Sequence, residues 1–104
     1  MSKENVALLT DVSDALAKKH DKARFHVENG RCVSAGFVVE QHLEKNAARV
    51  SYRFVDGSLE ETNGIRTLET ILDDYITTLK QTGFVGTMQI GKMTNRPFLK
   101  VVKR

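Results

Sequence analysis

The chain has 104 residues, a formal net charge of +3 and one cysteine. That length fits a single domain able to bury roughly 65% of the surface its unfolded form exposes, enough for one core without metal or disulfide staples. Ordinary apolar and charged fractions fit a folded chain rather than a disordered one, and no stretch approaches the roughly 20 apolar residues of a membrane span.

In chain order, the first segment reads as a helix. Ser2 is placed as its N-cap and Glu4 suits the positive end of the helix dipole. Leu8, Leu9, Val12, Ala15 and Leu16 recur at helical spacing as one apolar stripe. Lys18, Lys19 and His20 are expected in the last turn. A strand from Arg24 to Glu28 follows, then Asn29-Gly30, which predicts a two-residue hairpin turn. The return strand, about Arg31 to Leu43, alternates. Val33, Ala35, Phe37, Val39 and Leu43 point one way, and Ser34, Gly36, Glu40 and His42 the other.

After a turn at Glu44-Lys45-Asn46, Ala48, Val50, Tyr52 and Phe54 form the inner face of a further strand, with Arg49, Ser51 and Arg53 outside. Asp56-Gly57 signals another turn and opens a short strand over Ser58 to Thr62. The spacing of Ile65, Leu68, Ile71, Leu72, Tyr75, Ile76 and Leu79 predicts a second helix, with Thr62, Asn63 and Thr67 as alternative caps. Gly83 is placed just past its end, where a residue without Cβ enters the left-handed region freely. Two strands close the chain. Phe84, Met88 and Ile90 face inward on the first, and Leu99 and Val101 share a face of the second. The basic loop between them, Gly91 to Pro97, contains the only proline.

The expected fold is therefore one compact α+β domain over residues 1–104. It is an antiparallel sheet of about five to six strands with two helices packed on one face, in the order α-β-β-β(-β)-α-β-β.

Charge is distributed unevenly. Residues 56–74 carry Asp56, Glu60, Glu61, Glu69, Asp73 and Asp74 against Arg66 alone. After Asp74 there is no acid, while Lys80, Lys92, Arg96, Lys100, Lys103 and Arg104 follow. Either the two blocks attract one another within the fold, or they orient a charged partner. With both helices on one side, the other sheet face presents His26, Ser34, Gly36, Glu40, His42, Arg49, Ser51, Arg53, Thr87, Gln89 and Lys100. Cations with small hydroxyl and amide donors are what phosphate contacts require, although a merely solvated sheet face carries the same residue types. The loop from Lys92 to Arg96 adds a wing-like contact. Glu69, Asp73 and Asp74 exclude the exposed side of the second helix from any such role, because phosphate repels them.

No enzyme signature is present. Cys32 with His20, His26 and His42 has no metal-ligand spacing, and nothing near Cys32 points to an activated thiolate. The adjacent acids Asp73 and Asp74 point about 100° apart on a helix and do not share one metal. A pocket joining His26 and His42 to a carboxylate would be needed for catalysis. No cofactor is implied. The unpaired cysteine and the lack of an apolar leader in Met1 to Asn5 lead to the expectation of a cytoplasmic location, in a bacterium or an infected host.

Leu43-Glu44-Lys45 before a turn, the string Thr62-Asn63-Gly64-Ile65-Arg66, and the closing helix, glycine, two strands and Lys103-Arg104 carry a resemblance. Together with the element order, they resemble the C-terminal double-wing DNA-binding domain of the MotA family of bacteriophage transcription activators. The resemblance implies a saddle-shaped antiparallel sheet with helices on one side, and sheet-mediated DNA binding in transcription regulation.

The expected function is therefore a small nucleic-acid-binding module, with Arg49, Arg53, Lys92, Arg96 and Lys100 as contacts. The alternative is a protein-interaction domain, such as a phage or mobile-element inhibitor of a host protein. Pairing of two copies through an edge strand, Arg24 to Glu28 or Phe98 to Lys103, is compatible with either.

Overall fold

A computed structural model describes residues 3–58 and 65–104, with side chains described over 6–58 and 67–104. Helix α1 spans Lys3–Ala17, and strands β1 (Arg24–Phe25), β2 (Cys32–Ser34), β3 (Gly36–Gln41) and β4 (Ala48–Arg53) follow. Helix α2 spans Ile65–Gln81, and β5 (Phe84–Ile90) and β6 (Pro97–Lys103) close the chain. All pairings between these strands are antiparallel, in a four-stranded sheet of order β3-β4-β6-β5 and a small β1-β2 ribbon. This is the expected α+β architecture. The caps Ser2, Thr62 and Asn63, the side chains of Glu4 and Ile65, and the strand residues 59–62 lie outside what is described.

Both helices cover the same face of the sheet, α1 over β3 and β4, and α2 over β5 and β6. The reason is the apolar patterning. Val12, Ala15 and Leu16 of α1 and Leu68, Leu72, Tyr75 and Leu79 of α2 are buried against Phe37, Ala48, Val50, Leu99 and Val101 of the sheet. In β4 the alternation survives intact, with Ala48 and Val50 buried, Tyr52 packed against the core and Arg53 exposed. Past α2, Gly83 takes φ +92°, the left-handed conformation that ends a helix and that side chains with a Cβ resist.

The expected single strand from Arg31 to Leu43 is divided. At Gly36 a Cβ would fall 2.3 Å from the Asp21 carbonyl oxygen and 2.6 Å from the Ala23 nitrogen. Residues 21–23 run directly across this position, bonding Ala23 N–H to Phe37 C=O and Phe37 N–H to Asp21 C=O, each at 3.0 Å. Gly36 is thus buried against backbone, not outward on the sheet face. The segment also pairs with the first part of the outer edge of β3 through the Lys22–Phe37 bridge.

Beyond this break β2 turns away to pair with β1. As a result Val33 is exposed and Cys32 is buried instead. The alternation also fails at two strand ends. Leu43 lies past the end of β3 and is fully exposed, and Ile90, at the end of β5, is 55% exposed. The β1–β2 turn is longer than the predicted two residues. His26 N–H bonds Arg31 C=O at 2.8 Å, leaving residues 27–30 as the loop.

Helix α1 ends at Ala17, so Lys18, Lys19 and His20 follow it instead of occupying its last turn. Lys19 Nζ donates to Gln81 Oε1 at 2.9 Å. His20 packs edge-on to Tyr75, 4.6 Å between centroids. Thr78 Oγ1 donates to the Asp74 carbonyl at 3.1 Å and so accepts from His20 Nε2 at 2.9 Å. Burial lowers the His20 pKa from 6.5; Asp74 and Asp21 oppose that shift and Lys19 adds to it. A depressed folded-state value means that the stabilising contribution is present above pH 6.5 and is lost as pH falls through the folded value. The urea midpoint of the wild type is therefore expected to fall more than that of His20→Gln when pH is lowered from above to below the ordinary imidazole range.

Candidate nucleic-acid interface

The face opposite the helices is set by register. Glu40 pairs with Arg49, Arg49 with Lys100, and Lys100 with Thr87, giving one row across β3, β4, β6 and β5. Two cations thus stand directly opposite one another at the centre of the sheet, an arrangement that is unfavourable without compensation. Several neighbours compensate. Glu44 forms an ion pair with Lys100, bringing the tip of the β3–β4 hairpin over the outer face. Arg49 lies over the Phe98 ring, 4.3 Å from its centroid, an attraction between cation and ring face. Its Nε is shielded and has no hydrogen-bond partner among the described residues.

The same hairpin tip carries His42 across the face. Its Nε2 donates to Gln89 Oε1 at 2.9 Å, its Nδ1 accepts from Glu44 N–H at 3.0 Å, and its ring lies 6.0 Å from that of Phe98. His42 begins on one edge strand's hairpin and Gln89 sits on the opposite edge strand, so the hairpin tip reaches across the outer face for them to meet. The central row is therefore spanned by side chains of this chain, not by a helix, and is less open than alternation alone predicts.

Arg53 lies at the other end of β4. It is exposed, its Cζ is 5.4 Å from the Phe25 centroid, and it pairs with Asp56 at 3.4 Å. Asp56 also accepts the Cys32 N–H at 2.9 Å. That bond, with Arg53 and Arg31 nearby and desolvation opposing, holds the Asp56 carboxyl below its usual range. The Glu44 carboxyl is likewise lowered, first by its hydrogen bond from Lys100.

Lys92 and Arg96 are exposed in the loop between β5 and β6, at the same end of the sheet as Arg53. Gly91 N–H to Arg96 C=O (2.9 Å) and Asn95 N–H to Gly91 C=O (2.9 Å) shape this loop, and Asn95 takes φ +53°. Met93 projects from it fully exposed between the two cations. Leu43 projects in the same way beside Lys45, and Val27 from the β1–β2 loop.

The structure therefore brings Arg49 and Lys100 together, places Arg53, Lys92 and Arg96 toward one end, and holds Arg53 and Lys100 with carboxylates. Glu44 and Asp56 were not foreseen from the sequence as their partners, nor Phe98 as the ring under Arg49. An acid three residues after Arg53 was a visible signal. The Lys100–Glu44 pair had none, because it depends on how the hairpin tip folds.

His26 is not on this face. It is exposed in the β1–β2 ribbon, with Nδ1 accepting Glu28 N–H at 3.3 Å, and it shares no partner with His42. Cys32 is buried and its thiol donates to Ser34 C=O at 3.4 Å. The helix layer has the opposite charge. Among the described side chains, Asp11 and Asp14 of α1 and Glu69, Asp73 and Asp74 of α2 stand exposed, with Lys80 in the last turn of α2. No family model matches the chain, and no curated protein or solved structure matches it either.

Proposed function

We propose that the domain binds nucleic acid, with DNA as the first choice, through the outer sheet face and the Lys92–Arg96 loop. The observation that carries this reading is the segregation of charge between the two layers. On the sheet side Arg49, Lys100, Arg53, Lys92 and Arg96 outnumber Glu40, Glu44 and Asp56, while acids predominate among the exposed charges of the two helices.

The two intrachain carboxylates do not defeat it. The Arg53 side of the pair with Asp56 is exposed, and exposed ion pairs are weak, so a phosphate replaces the carboxylate at small cost. Arg49 and Arg53 are each steadied against an aromatic ring, which lowers the entropy lost when an anion binds. The exposed Met93, in the loop that carries Lys92 and Arg96, and the exposed Leu43 at the β3–β4 hairpin tip have the character of apolar tips that enter between base steps. The resemblance of the sequence to double-wing domains accords with this reading and with a regulatory role in a phage or mobile element.

Fluorescence anisotropy of a labelled duplex across a salt series tests it. For about five phosphate contacts, affinity should fall several-hundred-fold between roughly 50 and 200 mM salt. A salt-independent affinity, or retention of a host protein after nuclease treatment of the lysate, would favour the protein-interaction reading instead.

A further inference from the structure

We infer that a second copy of this chain pairs edge to edge with β5, making a two-fold dimer with a continuous sheet. This goes beyond nucleic-acid binding and does not rest on it. The two edges of the four-stranded sheet are treated differently. That of β3 is bonded at its Phe37 end by residues 21–23 and carries the exposed charge of Glu40, while among the described residues no strand pairs with the outer edge of β5. The expected edge Phe98 to Lys103 is not an edge at all, since β6 lies between β4 and β5.

Hydrogen bonding shows which groups the β5 edge offers. Arg104 N–H bonds Gly83 C=O at 3.0 Å, and Gly91 N–H bonds Arg96 C=O at 2.9 Å. Bonded pairs recur at every second residue of an antiparallel ladder, so the odd-numbered residues between them face β6. Phe84, Gly86, Met88 and Ile90 therefore turn their N–H and C=O groups to the open side. Soluble proteins guard such edges with charge, proline or a bulge. From Gln81 to Gly91 this chain has none of the charged residues and no proline, and β5 pairs with β6 without a register shift.

The edge is also complementary to itself. Antiparallel pairing centred on Thr87 sets Phe84 opposite Ile90 of the second copy and Gly86 opposite Met88. The half-exposed Ile90 is then covered, and the larger side chain faces the residue without one. Above the strand, Glu69, Asp73, Ile76 and Lys80 share one side of α2. Ile76 and Lys80 line a hollow with Phe84, Gly86 and Arg104 at this edge. Glu69 and Asp73 lie toward one end of the edge, and Lys80 and Arg104 toward the other. A two-fold axis through Thr87 brings the acidic end of one copy to the basic end of its partner, as an isologous interface requires.

Sedimentation equilibrium from micromolar to near-millimolar concentration tests the inference. The wild type should show a reversible monomer–dimer equilibrium. Thr87→Glu should abolish the dimer by placing like charges across the axis, and its carboxylate faces Lys100 within the monomer, which keeps the fold. Asp73→Lys and Lys80→Glu should each weaken association at least tenfold, and the two together should restore it. A monomeric mass throughout, or a dimer unchanged by Thr87→Glu, overturns the inference. Because the readout is mass without nucleic acid, its failure leaves the DNA-binding reading standing, and the reverse also holds.

Discussion

Arg53→Glu combined with Lys100→Glu should reduce affinity for duplex DNA by at least about 100-fold at low salt, and should lower the slope of log K against log salt by about 2. Each substitution removes a phosphate contact and adds a repulsion. Arg53 is an exposed cation at the end of β4, and Lys100 stands beside Arg49 in the central row, so the paired change alters both regions of the proposed surface. The fold should tolerate it. Both positions face away from the helices, and the ion pairs lost, Arg53–Asp56 and Lys100–Glu44, are partly exposed. A thermal midpoint within a few degrees of wild type, read by circular dichroism, separates lost binding from lost structure. Unchanged affinity in the folded double variant would remove the sheet face from the account.

The largest expected loss of stability is at Phe37. This ring is fully buried and meets Tyr75 edge-on at 6.2 Å between centroids. It joins α2 to β3, and the backbone of the same residue holds residues 21–23 in place. Truncation of a buried Phe to Ala costs about 3–5 kcal/mol, against a total of about 5–15 for a domain of ordinary stability. Phe37→Ala should therefore lower the thermal midpoint by roughly 15–30 °C, while Phe37→Leu, which keeps most of the volume, should lose much less. Equal losses for the two variants would mean that ring packing is not what Phe37 supplies.

Much of the architecture was legible because it rests on local periodicity. The α2 stripe and the alternation from Ala48 to Arg53 report directly which side meets the core, and Gly83 marks a helix end by its own backbone preference. The misreadings lie where a distant segment decides. Gly36 inside an alternating run is a sign of close backbone approach, but nothing near it tells that residues 21–23 are the segment that crosses. Leu43 keeps the inward phase in sequence but lies past the last residue of β3, where phase no longer determines burial.

The candidate site follows the same division. Arg49, Arg53 and Lys100 could be assigned to one face from alternation alone, and Lys92 and Arg96 to a loop. Their electrostatic state could not. It depends on a hairpin tip that brings Glu44 to Lys100 and His42 to Gln89, and on a ribbon that brings Phe25 to Arg53. These contacts are set by how the hairpin tip and the ribbon fold back on the sheet.

The most direct test of the central claim is an amide and side-chain NMR titration of the folded domain with a short duplex. Binding as proposed perturbs the signals of Arg49, Arg53, Lys100 and residues 92–96 together, and leaves the exposed sides of α1 and α2 at Asp11, Asp14 and Asp74 unmoved. Perturbations centred on those helix acids, or none at saturating duplex, would contradict it.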